Sequence, residues 1–369
     1  MARKLKRDNV LFVTTMVLLA ASVAMVYSAS AVIAKERHGQ PNMYALKQAT
    51  FVLLGIAAMG VAMNIDYRTY RRPALIGALL GVSIAALILV LIIGPEIKGS
   101  RRWFSIAGLG IQPSETAKIA MILFTAFILE RRMDRIDEVR YALLPVGAAL
   151  SLVVCLVLLE PDLGTSVAIL GTVAAMVFAA GLPYRYVAWF GAAAVPALVF
   201  LVWSADYRVR RFTAFLHPWD DPLGSGFQII QSLIAVGTGG VTGRGIGDGV
   251  QKRFFLPEPH TDFIFAVISE ELGLVGSTVI LICFTVILWR GLRTSLRAPD
   301  RFGAFVALGL TMMVAAQAFV NISVVLGLMP TKGIPLPFVS AGGSSMVVGL
   351  AGMGVLLNIS QHASAGETG

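Results

Sequence analysis

The sequence predicts an all-α polytopic membrane protein, and three observations predict it. The chain is 57% apolar and only 14% charged, too apolar for an ordinary soluble domain. Its charges fall in short clusters between long apolar runs, the pattern of a chain that crosses a bilayer repeatedly. Ten of those runs come close to the ~20 residues that a bilayer core requires. Together they read as one integral membrane domain over residues 1–369.

The expected spans are roughly 10–33, 45–64, 74–94, 114–130, 141–159, 163–181, 186–203, 263–289, 303–327 and 342–360. The first has basic residues before it but is long and lacks a clear small-residue cleavage site, so it reads as a retained helix rather than a signal peptide. Basic residues in the short loops set the orientation. Sixteen, from Arg3 to Arg301, lie on the side of the N-terminus, against seven on the other: Lys35, Arg37, Lys47, Lys98, Arg101, Arg102 and Lys332. Both termini are therefore expected in the cytoplasm, and an even number of spans agrees with that. The long loop of about 204–262 and the short loops near 95–113, 160–162 and 328–341 then face outward. The polar tail from His362 to Gly369 reads as disordered.

Cys155 and Cys283 sit inside apolar runs and do not suggest a disulfide framework. The net charge of +9 comes mostly from loop arginines. It reads as a topology signal and as contact with membrane lipid headgroups, not as a nucleic-acid surface.

The long loop is basic at Arg208, Arg210 and Arg211, and Trp219-Asp220-Asp221-Pro222 reads as a turn. Phe227 to Val236 is apolar but too short to span, which suits an interfacial or re-entrant helix. The glycines from Gly237 to Gly249 allow tight turns and close backbone approach. They lack the setting and the Gly-Lys-Ser/Thr ending of a phosphate-binding loop, and no organic cofactor is expected.

The polar motifs cluster on the outward side. Leu256-Pro257-Glu258-Pro259-His260-Thr261-Asp262-Phe263 closes the long loop and opens an apolar helix. A charge inside a bilayer costs at least a few kcal/mol, but at a helix mouth beside water His260 and Asp262 can stay polar and reactive. Asp262 reads either as the reacting group or as the cap of the helix that follows. Glu115 and Lys118, just after the helix-start residues Pro113 and Ser114, are three apart and share a face. They form an interfacial ion pair or line a cavity. In Glu160-Pro161-Asp162 two carboxylates flank a proline, either to hold a divalent metal with substrate phosphates or as a solvated turn. Lys98, Arg101 and Arg102 beside Trp103 read as headgroup contacts or as a pyrophosphate clamp. Pro330, Pro335 and Pro337 break regular structure, and Lys332, Ser344 and Ser345 around them suit a re-entrant loop lining a cavity. Gln317 and Asn321, one helical turn apart, face that interior or bond a neighbouring helix.

Taken together, these motifs resemble one family over about residues 10–360: the SEDS proteins (shape, elongation, division, sporulation), the peptidoglycan glycosyltransferases of the RodA/FtsW type. Pro257 to Phe265 with Glu270-Glu271-Leu272-Gly273, and Gly333 to Phe338 with Gly342 to Ser345, carry the likeness most specifically. Gln112 to Glu115 and Pro161 to Thr165 add to it. Pro330-Thr331-Lys332-Gly333 and Val26 to Ser30 lean to the division member, FtsW.

The resemblance implies polymerisation of lipid II outside the cytoplasmic membrane, for cell division or elongation. The growing undecaprenyl-linked glycan loses its pyrophosphate carrier to an incoming lipid II, with inversion. The resemblance puts the family's essential aspartate at Asp262, its membrane Glu and Lys at Glu115 and Lys118, and its loop aspartate at Asp162. An acceptor hydroxyl needs a base, and partial burial is expected to raise the pKa of Asp262 for that work. The leaving pyrophosphate needs positive charge from Arg101, Arg102, Lys118, Lys332 or a divalent cation, Mg or Mn, with Asp162 as one candidate ligand. His260, Ser344 and Ser345 complete the expected substrate contacts. The implied partner is a class B penicillin-binding protein, a transpeptidase, within the division or elongation machinery. Two other readings compete. A lipid II flippase would carry polar groups through both leaflets, and a scaffold for the transpeptidase would not need Asp262.

Overall fold

The structure, a computed structural model, describes residues 7–365 apart from 98, 107, 108, 137, 205 and 254. Its helices are α1 (Asn9–His38), α2 (Met43–Asn64), α3 (Pro73–Ile93), α4 (Pro113–Arg132), α5 (Leu144–Leu159), α6 (Leu163–Ala179), α7 (Tyr184–Trp203), α8 (Asp206–Leu216), α9 (Phe227–Gly239), α10 (Ile264–Arg297), α11 (Arg301–Val325) and α12 (Gly343–Ala365). Every expected span lies on a helix. Six of them, α1, α2, α3, α10, α11 and α12, are long and apolar enough to cross a membrane, while α5 and α6 are apolar but shorter.

Local chemistry sets the helix ends. Asp8 caps α1 by accepting from the Leu11 amide at 3.1 Å, and Gly39 closes it in the left-handed region. Asp300 caps α11 through the Gly303 amide at 2.8 Å. Prolines start α3 and α4 at the first helical turn, where a missing N–H costs nothing.

Helix α11 packs against α4, α6, α10 and α12, α2 runs along α12, and α1 lies between α2 and α10. Met121, Leu129, Phe302, Leu310 and Met353 are buried in the shared core. Val82 on α3 and Ile282 on α10 point outward and exposed, as lipid-facing side chains should.

Four features differ from the sequence reading. Residues 104–111 contain a two-stranded antiparallel hairpin, β1 (Phe104–Ile106) and β2 (Leu109–Ile111), with Phe104 opposite Ile111. Strands of three residues are too short to display an alternation. The basic stretch after α7 is the amphipathic helix α8 rather than loop. Helix α9 forms over the expected apolar run and packs against α10 and α11, and the Ser232 hydroxyl donates to the Val325 carbonyl at 2.7 Å. The expected span beginning at 263 is broken: Gly273 adopts φ 65° and ψ −159° inside α10. There the amides of Leu274 and Val275 bond to the carbonyls of Gly240 and Val241, and a side chain on Gly273 would collide with that strand of backbone. Only glycine meets both demands. Last, α12 continues through Ala365, so His362 to Ala365 are helical rather than disordered. His362 meets the Asn358 carbonyl at 2.9 Å and the Tyr67 ring edge-on. The end of the expected tail, 366–369, and the N-terminal Arg3, Lys4 and Lys6 lie outside the described residues.

Candidate active site

The loop after α11 organises the site. With Pro330, Pro335 and Pro337 in it, the stretch 329–342 forms neither helix nor strand. The Ser340 hydroxyl donates to the Thr261 carbonyl at 2.5 Å and accepts from the Leu336 amide at 2.8 Å. The Ala341 amide donates to the His260 carbonyl at 2.8 Å. From α11, the Asn321 side-chain amide donates to the carbonyls of Asp262 and Ile334, each at 2.8 Å. Asn321 is thus a clamp between the two loops. Gln48 of α2 adds a bond to the Ser340 carbonyl at 3.2 Å.

Asp262 stands half-buried at the start of α10, with its carboxylate against Gly333. The N-cap position of α10 is Phe263, without a side-chain capping bond, so Asp262 does not occupy the cap position itself. His260 packs against the Tyr44 ring, with centroids 4.9 Å apart.

Glu115 and Lys118 form a buried ion pair with contacts of 2.9 and 3.0 Å. Both line a small cavity of about 30 Å³, together with Gln317, Pro335, Leu336, Ser340 and Ser345. Its walls come from the first turns of α4 and α12, the second half of α11 and the loop that touches Asp262. Ser344 ties the wall together by accepting from the Gln112 amide at 3.0 Å.

A second group gathers between α5 and α6. Asp162 is the N-cap of α6, accepting from the Thr165 amide at 3.0 Å and hydroxyl at 2.8 Å and from Gln112 at 3.3 Å. Arg102 braces this turn by donating to the carbonyls of Glu160 and Pro161, each at 2.7 Å. Arg101 is exposed and donates to the Ile92 carbonyl at 3.0 Å, at the end of α3. Lys98 lies outside the described residues. Burial and then Asp162 push the Glu160 carboxyl up to about 8, against the pull of Arg102. Burial also brings Lys332 down to about 8, with Arg208 and Arg211 lowering it further and Asp162 opposing.

Among the described residues no three His, Cys, Asp or Glu side chains come together as a metal site. Asp162 is engaged as a cap, which also explains why a carboxylate stands at that position.

Sequence reasoning named one group without giving it a role. Glu270 and Glu271, fully buried in α10, bind the glycine-rich loop: Glu271 meets Lys252 at 2.5 Å, and Glu270 meets Arg244 at 3.4 Å. Two adjacent carboxylates in an apolar helix were the available signal.

The chain matches the FtsW/RodA/SpoVE family model, described as cell cycle protein, over residues 8–365. It is 44% identical over 360 residues to the stage V sporulation protein E of Bacillus subtilis, covering 98% of both chains. It is 45% identical over 357 residues to a probable peptidoglycan glycosyltransferase FtsW of Geobacter sulfurreducens, covering 96% of this chain and 95% of that one. Two solved structures share the fold. One, described as the structural coordination of polymerization and crosslinking by a peptidoglycan synthase complex, contains a chain that matches with a TM-score of 0.79 at 34% identity, covering 97% of this chain and 99% of that one. The rod shape determining protein RodA of Thermus thermophilus matches with a TM-score of 0.72 at 29% identity, covering 97% of each.

Proposed function

The chain belongs to the FtsW/RodA/SpoVE family of cell cycle proteins, and from that membership we infer that it is a peptidoglycan glycosyltransferase whose base is Asp262. It polymerises lipid II, transferring the undecaprenyl-linked glycan to an incoming lipid II. The observation that carries the site assignment is one shared loop: residues 333–340 touch the Asp262 carboxylate and also wall the cavity that holds Glu115 and Lys118.

The acceptor sugar hydroxyl attacks the anomeric carbon of the donor, and its proton passes to the Asp262 carboxylate. One C–O bond forms and the C–O bond to the pyrophosphate breaks, with the electron pair leaving on the pyrophosphate. That group needs positive charge rather than a proton. Lys332 is the cation nearest in sequence to the contact with Asp262, and Lys118 lines the cavity. Arg102 supports the Glu160-Pro161 turn, and Arg101 contacts lipid-linked substrate from the exposed end of α3. His260, Ser344 and Ser345 shape the walls. A divalent cation, Mg or Mn, would be held mainly by the pyrophosphate oxygens with Asp162 as the nearby carboxylate, because such ions bind through few carboxylates and mainly through phosphate oxygens. It would supply charge neutralisation at the leaving group.

The orientation belongs to the same proposal: ten spans, both termini cytoplasmic, and the site facing outward. The partner is a class B penicillin-binding protein, which crosslinks the strands made here. The leaning to the division member among the motifs agrees with the FtsW-named relatives.

Labelled lipid II polymerisation by the purified protein with its cognate transpeptidase tests the reading. Wild type should give a glycan ladder, and Asp262→Asn, equally folded, should lose activity by about 10²-fold or more. An undiminished ladder from Asp262→Asn would remove the base. Lipid II crossing vesicle membranes with no ladder would favour a transporter.

A further inference from the structure

We propose that Lys252 and Glu271 are positioning residues: their buried pair locks the glycine-rich loop onto α10 and thereby sets where the Asp262 carboxylate stands. The proposal rests on the reading of Asp262 as the base.

The loop leaves α9 at Gly240 and returns to α10 at Asp262. Little apolar burial holds its first half, since Val241 and Ile246 are about two-thirds exposed. Polar bonds to two α10 carboxylates hold it instead. Glu271, with no exposed surface, accepts from Lys252 Nζ at 2.5 Å, the Gly247 amide at 3.0 Å and the Ser28 hydroxyl of α1 at 2.7 Å. Lys252 is itself buried and also meets Ser28, at 2.8 Å. Glu270 accepts from the amides of Val250 at 2.8 Å and Gln251 at 3.1 Å. The loop is therefore registered against α1 and α10 together.

Register at Lys252 is passed towards Asp262. The Gln251 carbonyl accepts from the Leu256 amide at 2.8 Å, and Leu256 is buried. The Glu258 carbonyl then accepts from the Thr261 amide at 3.2 Å. From the other side, Ser340 and Asn321 hold residues 261 and 262. Asp262 is thus suspended between two fixed points, and at the first of them the fully buried charge pair is Lys252–Glu271, the Arg244 side chain beside Glu270 being partly exposed. Buried ion pairs are poor stabilisers next to apolar residues of the same size. Their advantage is a single geometry, and geometry at a reacting carboxylate translates into rate.

The test compares wild type, the double variant Lys252→Met with Glu271→Gln, Ser28→Ala and Asp262→Asn in the lipid II assay with the partner transpeptidase. The double variant leaves no lone buried charge. Its unfolding temperature in detergent should stay near wild type, its kcat should fall about tenfold or more, and its KM for lipid II should barely move. The acidic limb of its kcat–pH profile should also shift, because the surroundings of the base have changed. Ser28→Ala, which removes no charge, should lower kcat in the same sense by a few-fold, and it decides the matter if the double variant does not fold. Unchanged kcat in a folded variant overturns the proposal, as does a loss confined to KM. Full activity in Asp262→Asn would instead overturn the assignment of the base, and with it this role for Lys252 and Glu271.

Discussion

The Asp262 carboxylate stands against Gly333, so close that a methyl group on the glycine Cα would lie 2.9 Å from Oδ2 and 3.5 Å from Cγ. The backbone at Gly333 is not in the left-handed region, so alanine is tolerated by the chain and felt by the carboxylate. Gly333→Ala should therefore fold normally and lose polymerase activity by about tenfold to a hundredfold. Glycan ladders alongside unfolding temperatures check this. Equal activity would mean that the carboxylate has room to move.

Lys332 supplies a pH signature. Burial, reinforced by Arg208 and Arg211, brings its amine down to about 8, so it is charged below that pH and neutral above it. If it holds the pyrophosphate, KM for lipid II should rise as the pH passes 8. Lys332→Arg, whose charge persists, should flatten that rise between pH 7 and 9. Steady-state kinetics across the range decides it.

Glu160 carries a signature of stability. Both its oxygens are buried and without a hydrogen-bond partner among the described residues. Burial first, and then Asp162, raise it from an ordinary 4.5 to about 8. The folded state then holds a proton that the unfolded state releases between those values. Stability is full below the ordinary value and declines up to about pH 8, by at most about 1.4 kcal/mol per pH unit. Glu160→Gln should remove most of this slope in thermal unfolding followed from pH 5 to 9. An unchanged slope would show that the carboxyl is ionised in the fold.

The Glu115–Lys118 pair should be strongly coupled. Lys118→Met alone strands a buried carboxylate and should cost ~3–5 kcal/mol. Glu115→Gln with Lys118→Met should cost less than the sum of the single changes. A double-mutant cycle on unfolding measures the difference, and additivity would mean that water reaches the pair.

The junction at Gly273 should tolerate no side chain. Gly273→Ala must abandon the positive φ and meet the backbone of Val241 and Gly243. A loss of about 1–3 kcal/mol is expected, with faster hydrogen exchange in residues 240–252 as the local readout.

By itself the sequence determined the membrane class, the helical segments and the polar motifs. Twenty-residue apolar runs admit few other structures, because a bilayer leaves backbone polar groups no partner outside the segment. It also singled out Asp262, Glu115 and Lys118, since charges beside apolar runs are conspicuous. Only the tertiary structure decided what each motif touches. Asn321 and Ser340 join loops that are far apart in the chain, and no spacing rule reports such a meeting. Asp162 and Glu160 read as equivalent carboxylates in sequence, yet one caps a helix and the other is buried without a hydrogen-bond partner among the described residues. The break in α10 and the grip of Glu271 on Lys252 arise from long-range backbone approach, which local periodicity cannot encode.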